Sequence, residues 1–450
     1  MSIPVYHKLY FIGIGGIGMS ALARYFNARG VKIYGYDKTE TSLTDELARE
    51  GMEIHFEENV DLIPKDVDLV VYTPAIPAEH KELAYYKSKN YPLCKRSDLL
   101  EKVTEHMFTI AVAGTHGKTT TSTMVAHILR SSGNDCSAFL GGVSVNYHTN
   151  FLPGKNNVVV VEADEFDRSF LKLHPNIAVI TSVDADHLDI YNTKEELQQS
   201  YLQFTELIKK DGTLVVKNNL PINPKLNVGN KIIYDTDSTD VDAYSSNLNL
   251  KDGFFEFDYS GKLGTINNIV LGIPGKHNVE NAVAAVSVAL LANVDKEKIK
   301  KALSDFKGVK RRFEYIVKNS KHIFIDDYAH HPHEIEAFLT AVKTIYPAKK
   351  LTCIFQPHLY SRTRDFANDF AKSLSLCDEL ILLPIYPARE QPIKGIDSEM
   401  ILNKVSIKNK RCCSKTELLV IINNEKPELT VTVGAGDIDQ LVEPIKKLLS

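Results

Sequence analysis

Residues 113–124 read AGTHGKTTTSTM, preceded by the apolar run MFTIAV at 107–112 and followed by VAHILR. A phosphate cradle needs small residues that expose backbone N–H groups, a lysine that neutralises phosphate charge, and a hydroxyl that holds Mg²⁺. Gly114, Thr115, His116, Gly117, Lys118, Thr119 and Thr120 supply these between a strand-like run and a helical pattern. The strict spacing G-x-x-x-x-G-K-[ST] would place a glycine at Val112, so the match lies in the Gly-Lys-Thr end and in its strand-to-helix setting. An open parallel sheet carrying a nucleotide loop at one strand end is the fold this stretch predicts.

The segments that follow agree with it. NNVVVVEADEFDRSF ends a buried-looking strand in Glu162, Asp164 and Glu165, and NIAVITSVDADHLDIY ends another in Asp184, Asp186 and His187. Ligands bind at the carboxyl ends of parallel strands, and carboxylates beside a phosphate loop are the hard oxygen donors that Mg²⁺ prefers. Any one such acid can equally be a solvated loop residue or a cap. Two strands after one Gly-Lys-Thr loop favour the metal reading.

Upstream, KLYFIGIGGIGMSALARYFNARGVKIYGYD places Gly13, Gly15 and Gly18 in G-x-G-x-x-G between a strand and a helix, with Asp37 ending the next strand. This pattern selects a diphosphate at a helix N-terminus and does not separate UDP from NAD. A glycine turn that only packs helix on strand is the alternative. Asp37 suits a ribose, a base or a loop cap.

In the last third, DDYAHHPHE sets Asp326, Asp327, His330, His331 and His333 beyond the strand HIFI. Pro332 interrupts the segment and the His-x-x-x-His spacing of a helical zinc site is absent, which disfavours a catalytic zinc. CIFQPHLYSRTRDF offers Gln356, His358, Tyr360, Ser361 and Arg362, and KRRFEY offers Arg311 and Arg312. Arginines there either clamp an anion bidentately or form salt bridges between domains.

At 450 residues, with 44% hydrophobic and 24% charged, the chain suits two or three globular domains. A net charge of -4 gives no general attraction to nucleic acid or to anionic lipid. Six cysteines without C-x-x-C spacing, no signal-peptide h-region and no long apolar run predict a cytoplasmic protein. Three strand-loop-helix openings divide the chain into three α/β domains, 1–105, 106–308 and 309–450. Turn signals in NLKDGFFEFDYSGKLGTINNIVLGI predict an antiparallel meander inside the second, with a helix resuming near Asn278.

GIGGIGMSALA, AGTHGKTTTSTM, EADEFDRSF, HNVENAVAAV, RRFE, DDYAHHPHE and FQPHLYSRTRDF stand in the order and approximate spacing of the Mur ligases, a family this chain resembles from about residue 8 to about 440. The resemblance implies a Rossmann-like N-terminal domain for a UDP-sugar, a central P-loop ATPase domain and a Rossmann-like C-terminal domain for an amino acid. The implied reaction uses ATP and Mg²⁺ to join L-alanine to the carboxylate of UDP-N-acetylmuramate through an acyl phosphate. A relative that adds a preformed tripeptide is the alternative. The implied roles put Gly13, Gly15, Gly16, Ile17, Gly18 and Asp37 at the UDP-sugar, and the 114–120 loop at ATP with Asn278 and Asn281 near the adenine. Arg312 would meet the phosphates and Asp327 the ribose. Thr119 and Glu162 would hold one Mg²⁺ and His187 a second, while His330, His358 and Arg362 would receive the amino acid. Lys118, His330 and Arg362 are the catalytic candidates. Two positions depart from the family pattern: Leu359, where QPHRY often has arginine, and CKRSDLL in place of an RAEML-like stretch, which bears on Ser97 as a sugar contact. No lysine is assigned to carbamoylation. Partners other than substrates, nucleic acid and membrane included, are not expected, and monomer and homodimer are both open.

Overall fold

The computed structural model describes residues 5–184, 188–191, 193–222, 230–251, 253–388 and 390–450. The chain forms two compact units. One holds the described residues of Met1–Leu248, Phe257–Val270 and Glu280–Lys307, the other those of Asn249–Glu256, Leu271–Val279 and Gly308–Ser450.

Among the described residues the first unit opens with a five-stranded sheet in the order Glu53–His55, Lys32–Tyr36, Lys8–Ile12, Leu69–Tyr72, Leu93–Lys95. All its pairings are parallel. The order reverses between Lys8–Ile12 and Leu69–Tyr72, so a ligand crevice belongs just beyond the ends of these two strands. The helix Ile17–Asn27 starts there, straight after the glycine loop.

A ten-stranded sheet follows, and its parallel centre runs Asn230–Asp235, Thr213–Lys217, Ile177–Ile180, Phe108–Ala113, Val158–Glu162, Ser137–Ser144. These strands carry near-continuous apolar runs such as IAVI at Ile177–Ile180, because both faces are covered. Thr149–Leu152 closes one edge antiparallel to Ser137–Ser144. At the other edge Ala243–Lys251, Phe254–Gly261 and Gly264–Val270 are successive neighbours, the meander that the turn signals predict. Here the order reverses between Phe108–Ala113 and Ile177–Ile180, which puts 114–117 and 181–184 side by side. The helix Lys118–Ser132 leaves that point and stops at Gly133, whose φ of +87° is the left-handed cap a glycine accommodates. The two sheets share one apolar cluster, in which Tyr25 meets Phe139 and Phe151 at centroid distances of 5.4 and 5.8 Å.

The second unit is built on a six-stranded sheet, Glu314–Lys318, Ile323–Asp327, Leu429–Val433, Leu351–Phe355, Glu379–Leu382, Lys410–Cys412. Only the first pairing is antiparallel. Apolar clusters cover both faces. The helix Pro332–Ile345 begins with proline in its first turn and a reciprocal cap between His331 and Glu334, which fixes where the DDYAHHPHE segment turns into helix. No described helix is long and apolar enough to cross a membrane.

Candidate functional site

The loop 114–117 is locked onto the end of the neighbouring strand by hydroxyls. Ser182 Oγ accepts from His116 N at 2.7 Å and pairs with Thr115 Oγ1 at 2.9 Å, and Thr181 Oγ1 donates to the carbonyls of Ala113 and His116. Gly114 sits at φ +135°, and a Cβ there would lie 2.8 Å from Ser182 N. Gly117, at φ +81°, leaves no room either, since a Cβ would come 2.6 Å from Asn281 Oδ1. Gly117 is also the N-cap of Lys118–Ser132 and gives that helix no side-chain cap. The N–H groups of its first turn are therefore placed to receive an anion.

Lys118 folds back over this loop. Its Nζ donates to Gly114 O at 2.6 Å and to Glu165 Oε1 at 3.0 Å. Burial alone would lower the lysine pKa, but Glu165, Asp164 and Glu162 outweigh it and hold the ammonium above its usual range. Glu165 is wholly buried, and its carbonyl accepts from Tyr191 Oη at 2.6 Å. Thr119 and Thr120 are buried in the first turn, and Thr121 Oγ1 donates to Asn281 Oδ1 at 3.2 Å. Asn278 Nδ2 donates to Pro274 O at 2.6 Å. Glu162 ends its strand with the carboxylate packed on Gly141. Asp186 and His187 lie outside the described residues.

At the glycine loop, Gly15 N donates to Asp37 Oδ2 at 2.8 Å, and Asp37 Oδ1 accepts from Thr39 N at 3.2 Å. Asp37 is thus a loop anchor in this structure. A cavity of about 170 Å³ opens beside the helix start, and its lining includes Ile17, Gly18, Thr73, Arg96, Ser97, Gly141, Glu162, Asp164 and Ser169. Gly13, Gly15 and Gly16 are not among the cavity's lining residues. Arg96 lies over Gly18, with Nη1 3.0 Å from where a Cβ would stand, and its Nη2 donates to Ser169 Oγ at 3.2 Å. A guanidinium at a helix N-terminus inside a cavity can receive an anion. The residue patterns do not single out Arg96; only its place in CKRSDLL, next to Ser97, pointed that way.

In the second unit both carboxylate oxygens of Asp327 accept backbone N–H groups, from Phe313 at 2.7 Å and Ala329 at 2.8 Å. Burial nevertheless raises its pKa to about 6. Arg311 pairs with buried Asp326 at 2.9 Å and donates to Gly434 O at 2.7 Å, both in its own unit. Arg312 stacks over Tyr328 at 5.2 Å and approaches Glu334 at 3.9 Å. His330 Nδ1 lies 3.0 Å from Tyr328 O, a pure acceptor, so Nδ1 carries the proton and Nε2 keeps its lone pair. Burial lowers the His330 pKa, against the pull of Glu334. His330 meets His358 edge to face at 6.0 Å, and His358 stacks on Tyr386 at 5.7 Å. Arg362 acts electrostatically on His330 from the first turn of Tyr360–Leu374. Leu359 precedes that helix at φ +72°, a strained conformation held by Tyr386 O, which accepts its N–H at 2.9 Å. Gln356 is structural, donating to Asp437 Oδ1 and accepting from Ile438 N, each at 2.8 Å.

Comparison with known proteins adds to this geometry. Residues 8–107 match the model of the Mur ligase family, catalytic domain, 112–289 that of the Mur ligase middle domain, and 311–435 that of the Mur ligase, glutamate ligase domain. A UDP-N-acetylmuramate--L-alanine ligase of Parabacteroides distasonis is 49% identical over 455 residues, covering 100% of this chain and 98% of the relative. Its counterpart in Flavobacterium psychrophilum is also 49% identical, covering 100% and 99%. Among solved structures, the UDP-N-acetylmuramate-alanine ligase of Thermotoga maritima superposes with a TM-score of 0.86 at 28% identity, covering 98% of each chain. A murein peptide ligase from Psychrobacter arcticus, at 23% identity and a TM-score of 0.73, shares the fold. With a lysine-bearing loop beside strand-end carboxylates, a guanidinium over the start of the glycine-loop helix and matches along nearly its whole length, the chain belongs to the Mur ligase family.

Proposed function

We propose that this protein joins L-alanine to the carboxylate of UDP-N-acetylmuramate, converting ATP to ADP and phosphate, in peptidoglycan precursor synthesis in the cytoplasm. The observation that carries this reading is the cavity lined together by Gly18, Arg96, Glu162 and Asp164, whose two carboxylates, Glu162 and Asp164, also act electrostatically on Lys118 of the phosphate loop. It offers a guanidinium and helix-start N–H groups to a diphosphate, with carboxylates in the same lining. The names and full-length coverage of the relatives support the choice of substrates.

A carboxylate resists attack by an amine because its charge and resonance oppose it. In the proposed first step a carboxylate oxygen of the sugar attacks the γ-phosphorus and ADP leaves, giving an acyl phosphate. In the second the amine attacks the carbonyl carbon, phosphate leaves and the nitrogen loses a proton. Both partners of the first step are anions, so the protein's work is positioning and charge neutralisation. Lys118 takes up the phosphoryl charge, and the N–H groups of the helix start hold the phosphate oxygens. The oxygen donors Thr119 and Glu162 suit Mg²⁺, as does the carboxylate-rich surrounding; when bound, the ion supplies further neutralisation of phosphate charge. His187 is proposed for a second ion. Asn278 and Asn281 are proposed for the adenine, Arg312 for the phosphates and Asp327 for the ribose. Gly13, Gly15, Gly16, Ile17, Gly18 and Asp37 are proposed for the UDP-sugar, with Arg96 added. His330 orients the amine and takes its proton at Nε2, and Arg362 and His358 bind the amino-acid carboxylate. The division at 105/106 and 308/309 is kept as the functional partition. Phosphate release that requires ATP, UDP-N-acetylmuramate and L-alanine together tests the reading; release indifferent to the UDP-sugar overturns it.

A further inference from the structure

The side chain of Asn150 ties the edge strand Thr149–Leu152 to the helix that opens at the glycine loop. It is wholly buried. Its Nδ2 donates to Ile17 O at 2.6 Å and to Ser20 Oγ at 2.9 Å, and its Oδ1 accepts from Arg24 Nη1. The orientation of the amide is forced, since Ile17 O can only accept and Arg24 can only donate. Arg24 is itself gripped by Glu50, at 2.7 Å from Nη2, and by Glu46 at 3.1 Å. Apolar contacts such as Tyr25 on Phe151 hold the same elements together, but they are not directional. The hydrogen bonds of Asn150 are directional, and they land on the first residue of the helix, adjacent to Gly18 in the cavity wall.

We propose that Asn150 is a positioning residue for phosphoryl transfer, pinning the anion-binding start of the helix Ile17–Asn27 in register with the sheet that carries Glu162. This rests on the ligase reading given above. A reacting group misplaced by about 1 Å can lower a rate about a hundredfold, so a pin here acts on rate as well as on binding.

The test compares Asn150→Asp, which keeps an acceptor for Arg24 but loses the donors to Ile17 O, with Asn150→Ser, which loses both reaches. Phe151→Leu, in the same strand, serves as a variant weakened by packing alone. Each is assayed for KM of UDP-N-acetylmuramate, KM of ATP, kcat and melting temperature. A rise of about tenfold or more in the KM of the UDP-sugar with a fall of about tenfold in kcat, an ATP KM within about twofold of wild type, and no such split in Phe151→Leu are expected. The proposal is overturned if both Asn150 variants keep wild-type constants, or if their losses follow melting temperature as those of Phe151→Leu do. Wild-type protein that neither turns over nor binds UDP in calorimetry overturns the ligase reading and this proposal with it, whereas active wild type with unaffected variants overturns the proposal alone.

Discussion

Lys118 and Glu165 form a buried ion pair, Nζ lying 2.8 Å from Oε2, with the lysine side chain 12% and the glutamate 0% exposed. Removing one partner of such a pair leaves the other charge in a poor solvent, at a cost of about 3–5 kcal/mol. Glu165→Gln is therefore expected to unfold at a markedly lower denaturant concentration than wild type, as read by circular dichroism. An unchanged midpoint would show that the pair is solvated in solution.

Lys118→Met keeps the aliphatic stem and removes the ammonium. If the lysine neutralises charge at the transferring phosphoryl group, phosphate release should drop by about a hundred- to a thousandfold, in the manner of losing a preorganised donor. Activity within about tenfold of wild type, in a variant that still folds, would remove Lys118 from the mechanism.

Gly114→Ala places a methyl group against Ser182 N and Thr181 Oγ1 at a φ of +135° that side chains rarely adopt. The loop must shift, and with it the N–H groups of the helix start. ATP affinity should fall by at least about tenfold, measured by calorimetry, while UDP binding at the glycine loop stays the same. Loss of both affinities together would point to global unfolding.

How far the sequence reveals this site depends on whether a residue's role is local. Gly114, Gly117, Lys118 and Thr119 are legible because a phosphate loop is written in consecutive residues, and the strand-end acids because they follow apolar runs. Arg96 was not, since its partners Gly18 and Ser169 lie 78 and 73 residues away and only the tertiary fold joins them. Glu165, passed over in favour of Glu162, emerges as the lysine's partner for the same reason. Arg311 read as a junction residue, yet its contacts to Asp326 and Gly434 stay within one unit. The three sheets follow from the alternation of apolar runs and helical patterns, whereas their merging into two compact units depends on side-chain packing such as that of Tyr25 with Phe151.

Burial raises the Asp327 carboxyl from 3.8 to about 6. The folded state therefore takes up this proton first on acidification. Its stabilising contribution is fully present below about pH 4 and is lost as pH rises through about 6, roughly 3 kcal/mol over that window. Asn at 327 cannot titrate, so the unfolding free energy of wild type relative to Asp327→Asn should decline between about pH 4 and 7. Parallel curves would contradict the assignment.

His330 has its pKa lowered by burial, so its imidazole stays neutral further into the acid range than an ordinary histidine. In the window just below its usual value the unfolded chain binds a proton that the folded chain does not, and stability falls as pH falls. For catalysis, the acid limb of kcat/KM for the amino acid should lie below about 6.5 and disappear in His330→Asn, together with a loss of about a hundredfold or more. An acid limb that survives the substitution would assign it to another group.

The most direct measurement follows phosphate release from ATP and Mg²⁺ with UDP-N-acetylmuramate, offering L-alanine or an L-alanine-headed tripeptide, and records the product mass. Release with L-alanine and a product heavier by one alanyl residue is the expected result. Release with the tripeptide alone would move the protein to the peptide-adding relatives and give Leu359 a role in acceptor choice, and release with neither would contradict the ligase assignment.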